Sequence, residues 1–239
     1  MAKGAPLTYA SDELEAMAQA RRYYRWILSR FRPYLGHTVL ELGAGLGTFS
    51  AHLLAEPITR LILVEPVADL SSRLQLRFGT TERVELKHGR LGDVRDALPP
   101  ASLDSVVAVN VLEHIPDDRE TLETAFEMLA PGGALLLFVP ALQFLFGSMD
   151  RSFGHLRRYT RPGLRSLLRT CGFDPVRIHY MNSLGVFSWL LAGRLFRWPT
   201  LTPGAVTFAD HTLIPLTALL ERCVPPPLGQ SLLAIAHKP

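Results

Sequence analysis

The sequence predicts an α/β fold built on a mostly parallel sheet. Three observations carry this. Short apolar runs at 38–42, 61–64, 84–87, 103–109 and 134–139 alternate with helically spaced segments at 49–55, 70–78 and 118–129. Strands that alternate with helices in this way imply βαβ units. The first run ends in a glycine turn that leads straight into helical spacing, with Gly43, Gly45 and Gly47 in five residues. The composition is that of a chain with a full core: of 239 residues, 48% are hydrophobic and 20% charged. That excludes disorder, which needs low hydrophobicity and high charge. The 18 Gly and 18 Pro are scattered, which excludes collagen-like repeats, and a net charge of +3 gives no argument for nucleic acid.

Residues 11–35 read as one helix, with Ser11 as its cap, Asp12 and Glu13 in its first turn and Pro33 at its end. Tyr23, Tyr24, Trp26 and Phe31 are interleaved there with Arg21, Arg22, Arg25, Arg30 and Arg32, which form either a solvated face or a charged surface. Five strand–helix steps follow. Pro131-Gly132-Gly133 leads into the fifth run. Thr160 and Pro162 open a further helix at 164–170, closed by Gly172. Residues 176–180 and 231–237 complete the strands, and about fifty residues rich in Leu, Phe, Trp and Pro lie between them.

Cys171 and Cys223 form no CxxC pair, so neither a disulfide framework nor a metal site is expected and a reducing, cytoplasmic setting is the simplest home. Residues 1–9 hold no apolar core and do not read as a signal peptide. The apolar stretch 184–195 is broken by Arg194 and is shorter than the ~20 residues a membrane span needs. Peripheral contact with the inner membrane surface stays open.

The most informative motif is Glu41-Leu-Gly-Ala-Gly-Leu-Gly47, a strand running into a glycine turn and a helix start. Glycines allow a positive φ and close approach of a ligand to the backbone, and the helix start offers free N–H groups. The pattern is GxGxG, one residue tighter than the dinucleotide fingerprint GxGxxG. Glu65, at the end of the second run, can accept from both hydroxyls of a ribose.

Together with Val64-Glu65-Pro66, Leu103-Asp104-Ser-Val, Asn110-Val-Leu-Glu-His-Ile115 and Leu129-Ala-Pro-Gly-Gly133, this motif resembles the class I S-adenosylmethionine-dependent methyltransferases over about residues 20–180. Within that superfamily, Pro140-Ala141, Asp150 and Gly154-His-Leu-Arg-Arg-Tyr159 are similar to a bacterial small-molecule subgroup of the methyltransferase type 11/12 kind.

The resemblance implies a Rossmann-like, seven-stranded, mostly parallel sheet with helices on both faces and an antiparallel last strand. It implies S-adenosyl-L-methionine as cofactor and S-adenosyl-L-homocysteine as product. Glu41, Gly43, Ala44, Gly45 and Gly47 would back its methionine and ribose parts, Glu65 beside Pro66 would hold the ribose, and Asn110 and Val111 would line the methionine end. Tyr24 matches an aromatic position on a helix that closes over the cofactor in similar enzymes. The acid that usually follows the third strand is missing: either backbone near Arg90 and Leu91 meets the adenine, or Asp93 reaches back.

Methyl transfer needs alignment and, for a protonated acceptor, a base. His155, His114 and Tyr159 are the catalytic candidates, His155 foremost because histidine titrates near neutrality. Asp150, Arg157 and Arg158, with Phe187 and Trp189, are the substrate-binding candidates. The alternative for the 150–159 loop is a brace from Asp150 to Arg158, and for 113–114 a turn bonded to backbone. Arg157, Arg161, Arg165 and Arg169 recur every four residues as a basic helix face.

In this family the last two strands usually form a tight hairpin, so residues 181–230 read as an inserted apolar cap of two short helices separated by residues 199–210. Asp210 and His211, in the middle turn of this segment, are minor catalytic candidates. The cap could line a substrate pocket, form a homodimer face, rest on a membrane or add to the core. The expected organisation is one methyltransferase domain over 1–239: an N-terminal helical lid (1–36), a cofactor-binding core (37–180), the cap (181–230) and the last strand (231–239). The expected reaction is methyl transfer to an O or N atom of a small, partly apolar metabolite of natural-product or lipid-linked type. The alternatives are a non-methylating reaction such as a cyclisation on the same fold, or a non-catalytic partner subunit.

Overall fold

Seven strands lie side by side in the order β3-β2-β1-β4-β5-β7-β6, so the chain reverses direction across the sheet between β1 and β4. The computed structural model describes residues 11–174, 176–196, 198 and 200–239. The leader reading at 1–9 lies outside them, as do Pro199 and the side chains of Ser11, Asp12 and Arg194.

The strands are β1 (Thr38–Leu42), β2 (Arg60–Glu65), β3 (Val84–His88), β4 (Leu103–Val109), β5 (Leu129–Pro140), β6 (Val176–Met181) and β7 (Ser231–His237). The first five pair in parallel. β7 runs antiparallel between β5 and β6, so the expected antiparallel last strand is present. Residues alternate between the two faces with period two. Leu40, Ile62, Val106, Leu135 and Ala234 fill the core on one face, and Val39, Leu61, Val107, Leu136 and Leu233 fill it on the other.

The helices are α1 (Ser11–Met17), α2 (Arg21–Phe31), α3 (Thr48–Leu53), α4 (Ala68–Phe78), α5 (Leu91–Val94), α6 (Asp118–Met128), α7 (Ser148–Ser152), α8 (Arg161–Thr170), α9 (Ser183–Trp189), α10 (Pro203–His211) and α11 (Leu213–Cys223). Local chemistry starts several of them. Asp117 accepts from the Glu120 N–H at 2.9 Å, and Thr160 from Gly163 at 3.2 Å. Such caps contribute about 1 kcal/mol each.

Two expectations need correction. The N-terminal helix is broken at residues 18–20 into α1 and α2. The first free N–H groups of α2, on Arg22 and Tyr23, are taken by the Asp210 carboxylate at 3.0 and 2.8 Å, so a distant cap sets the break. Among the described residues, the insertion holds three helices rather than two, with α9 continued by a π-helical piece, Leu190–Leu195. The presumed spacer contains α10, started by Thr202, which accepts from Ala205, and by Pro203 in the first turn. Among the described residues, no helix is long and apolar enough to cross a membrane.

Candidate active site

Beyond the carboxyl ends of β1, β2 and β4 lies a cavity of about 720 Å³. Open α/β sheets place ligands at this edge, next to the point where strand order reverses. Its floor is the turn after β1. Gly43 and Ala44 donate to the Val64 carbonyl at 2.8 and 3.2 Å, which ties the turn to β2. Gly43 has φ +67°, and a Cβ there would come within 2.7 Å of Val111 Cγ2, so only glycine fits beneath Val111. Gly45, at φ +56°, lines the cavity.

Glu65 closes one side of this floor. Its side chain is 2% exposed, and its two oxygens accept from the N–H groups of Gly45 at 2.8 Å and Val67 at 2.9 Å. Burial raises its pKa, and those two donors oppose the rise. Glu41 lies behind the turn at 4% exposure, with Oε2 lacking any hydrogen-bond partner. Burial pushes its carboxyl up to about 8, against the pull of the nearby Ser50 hydroxyl. Asn110, which lines the cavity after β4, holds a left-handed φ of +53° and donates its N–H to Phe138 at 2.8 Å.

The N-terminal helices, expected as a lid, line one wall of the cavity. Glu13, Leu14 and Met17 of α1 and Tyr23 and Tyr24 of α2 line the cavity. Tyr24 stands edge-on to Phe49, with ring centres 6.0 Å apart. Burial raises the Glu13 pKa to about 9, and the charges of Glu113 and Asp150 add to the rise.

The far wall is a polar cluster under the insertion. Asp150 is fully buried and collects four donors or partners: His155 Nδ1 at 2.9 Å, Arg158 Nε at 2.7 Å, the Gly147 N–H at 2.9 Å and Trp189 Nε1 at 3.2 Å. Burial works to raise its pKa, but the bonds from His155 and Arg158 hold it below the usual aspartate range. Arg158 also donates to the Ala141 carbonyl at 2.9 Å and lies 4.9 Å over the Trp189 ring. His155 presents Nε2 at 3.9 Å from Glu113, which is fully buried. His114 packs edge-on against His155, at 4.9 Å between ring centres, and burial drives its pKa down to about 3. It is therefore neutral at neutral pH. Glu113, His114 and His155 offer donor atoms within 4.8 Å of one another.

The structure thus brings together Tyr24, Glu41, Gly43, Ala44, Gly45, Glu65, Asn110, Val111, His114, His155, Arg158 and Trp189 around one cavity. Asp150 sits behind that wall as the hub joining His155, Arg158 and Trp189, so the brace and the site are the same loop. Other candidates fall elsewhere. The Tyr159 hydroxyl bonds Asp118 at 2.8 Å and lies 3.2 Å from the Leu112 carbonyl, away from the cavity, where it braces the loop. Arg157 pairs with Asp118 at 2.7 Å and with the Pro116 carbonyl, also outside. Phe187 is 65% exposed. Gly47 packs on Phe78 and Leu74, and Pro66, Arg90 and Leu91 do not line the cavity. Leu91 is buried in the core, and Asp93 accepts from the Arg90 N–H at 2.9 Å to cap α5. Asp210 caps α2 and also lines the cavity, whereas exposed His211 bonds the Thr207 carbonyl outside it. Glu13, Met17 and Tyr23 were not among the expected site residues. Tyr23 is adjacent to Tyr24 on the lid helix, a signal available in the sequence.

Residues 16–178 match the family model described as a methyltransferase domain. The chain is similar, at 32% identity over 154 residues, to a protein of Mycolicibacterium smegmatis named as a probable S-adenosylmethionine-dependent methyltransferase. That match takes in 64% of this chain and 56% of the relative, so the chain spans about half of that protein's length. It is 27% identical over 173 residues to the ubiquinone biosynthesis O-methyltransferase of Ralstonia nicotianae, covering 64% of this chain and 69% of that one. Among solved structures, the phosphoethanolamine N-methyltransferase 2 of Haemonchus contortus, in complex with S-adenosylhomocysteine, superposes with a TM-score of 0.67. Identity there is 16%, over 98% of this chain and 59% of that one, and it shows the shared fold.

Proposed function

This chain belongs to the methyltransferase-domain family, and on that premise we propose that it binds S-adenosyl-L-methionine between the 43–47 turn and the lid and methylates an O or N atom of a small, partly apolar metabolite. The observation that carries the reading is the pairing of Glu65 with the glycine turn. A buried carboxylate is held by Gly45 and Val67 at the edge of the cavity. Each of its oxygens keeps a further lone pair for a hydroxyl.

The residues present suit the cofactor in two further ways. A Cβ built on Gly45 would meet only Leu14 of the lid, at 3.7 Å, so this stretch of backbone is open to a ligand. Glu41 Oε2, buried and without a partner, is free to take a hydrogen bond from a ligand. Bound there, the cofactor supplies the electrophilic methyl group. The chain's own residues do the rest. Tyr24 and Leu14 cover the site and exclude water. Trp189, Val206 and Ile214 give the acceptor an apolar wall, and Arg158, His155 and His114 give it a polar end. His114, kept neutral by burial, can accept a hydrogen bond from the acceptor and orient it.

Titration calorimetry with S-adenosylmethionine and with S-adenosylhomocysteine tests this. Saturable 1:1 binding of both is expected. A folded chain that gives no heat with either overturns the reading.

A further inference from the structure

We propose that Glu113, His114 and His155 form a binding site for a divalent first-row transition metal at the polar end of the cavity. The three donors come from the turn after β4 and from the loop after α7, and their ligand atoms lie within 4.8 Å of one another. Nothing in their chain spacing shows this, because the fold brings together residues about forty positions apart.

Two independent features point to a ligand. Glu113 is fully buried, and neither carboxylate oxygen has a hydrogen-bond partner. A buried polar group without a partner is costly and calls for an explanation. His155 is also held from behind, and His114 is bonded to backbone. His155 Nδ1 is bonded to Asp150 at 2.9 Å, which turns Nε2 toward Glu113, and His114 is tethered to the Gly154 backbone. Ligating histidines are usually fixed in this way, by a carboxylate or a carbonyl on the other ring nitrogen.

The donor set selects the metal. Two imidazoles and one carboxylate suit Zn²⁺, Fe²⁺ or Ni²⁺, while Mg²⁺ and Ca²⁺ prefer all-oxygen sites. Bonds of about 2.1 Å require donors about 3–3.5 Å apart, so each side chain closes inward by about 1 Å. Three protein ligands leave a position open, and His114 and His155 both face the cavity. Metal binding itself does not depend on the proposed cofactor, whereas use of the open position for an acceptor oxygen rests on the function proposed above. A metal makes the two histidines ligands rather than bases, so these roles are exclusive.

The chain, stripped with EDTA and dialysed, is titrated calorimetrically with ZnCl₂ and separately with MgCl₂. One equivalent of Zn²⁺ is expected, at least tenfold tighter than Mg²⁺. His155→Ala and Glu113→Gln should each weaken Zn²⁺ binding at least tenfold. The unsubstituted chain loaded with Co²⁺ should show visible d–d bands, a readout that needs no variant to fold. A parallel S-adenosylhomocysteine titration separates this proposal from the function proposed above. A folded chain that takes up no Zn²⁺ overturns the site, as does Zn²⁺ binding indifferent to both substitutions, or Mg²⁺ binding as tight as Zn²⁺.

Discussion

The Asp210 carboxylate accepts the backbone N–H of Tyr23 at 2.8 Å across 187 residues of sequence. The contact joins α10 of the insertion to the start of the lid helix α2. Its second oxygen takes the Arg22 N–H, so one buried side chain satisfies two free helix donors. Glu221 does the same for the start of α9, accepting from Asn182 and Ser183. The insertion is thus pinned to the lid by backbone capping.

Asp210→Ala should therefore act on both stability and ligand binding. Loss of a cap costs about 1–2 kcal/mol. Because Tyr23 and Tyr24 follow directly, cofactor affinity should also fall severalfold. Thermal unfolding and a cofactor titration measure the two effects. Unchanged affinity in the destabilised variant would separate the lid from the site.

Glu65→Ala removes the group that both shapes the glycine turn and faces the ribose in the proposed complex. Hydrogen bonds to an ionised carboxylate are the stronger kind. An affinity loss of at least tenfold, about 1.4 kcal/mol, is expected by calorimetry. Glu65→Gln keeps a carbonyl acceptor and should fall between the two.

The strands were legible because apolar runs of four to seven residues stop at or near Gly43, Pro66 and Gly89, and those stops are local. The cofactor loop was legible for the same reason. The break after Met17 was not, since the group that makes it is Asp210. The start of α10 was available in Thr202-Pro203, the same local signal as Thr160 and Pro162, and the apolar run following 210 drew the reading past it. Glu113 shows a different limit. Its neighbours in sequence say only that a turn follows β4. Its full burial without a partner arises when the loop after α7 folds over it, which places Leu156 N–H at 2.9 Å from the Glu113 carbonyl. Tyr159 and Arg157 are marked by residue type alone, and the folded loop sends them to Asp118 while His155 and Arg158 turn to Asp150.

Breaking the Asp150–Arg158 pair should cost more than an exposed ion pair would. Both side chains are almost fully buried, at 0% and 5% exposure. Removing one partner leaves the other charge unpaired, a loss of about 3–5 kcal/mol. Arg158→Met and Asp150→Asn should each lower the urea midpoint markedly. The double variant should be less destabilised than the sum of the two. Additive losses in a double-mutant cycle would deny the coupling.

The buried Glu41 sets a pH dependence with a definite sign. Its folded pKa, about 8, lies above the ordinary 4.5, with burial as the first cause and the charge of Glu65 as a further one. The fold therefore keeps a proton that the unfolded chain releases. This contribution is present in full below about pH 4.5 and is lost as pH rises to about 8. Glu41→Gln, which is neutral throughout, should gain stability relative to the parent as pH rises across that window. Urea unfolding of both at pH 5, 6.5 and 8 shows it. A stability difference independent of pH would mean that Glu41 is ionised in the fold.

The insertion also carries most of the exposed apolar surface. Twelve of the fifteen large apolar side chains exposed among the described residues lie between Phe187 and Leu228. Beside them, α2 packs on α10 and α11 and leaves Arg21, Arg22 and Arg25 exposed. An apolar patch flanked by cations suits an anionic membrane surface, and it bears on an acceptor that is partly apolar. The chain should sediment with vesicles rich in anionic phospholipid more than with neutral ones. Leu191→Glu with Leu220→Glu, both at exposed positions, should reduce the bound fraction severalfold without changing the unfolding midpoint. A stable dimer in solution that the same pair of substitutions dissociates, with no vesicle binding by the parent, would assign the patch to a second copy of the chain instead.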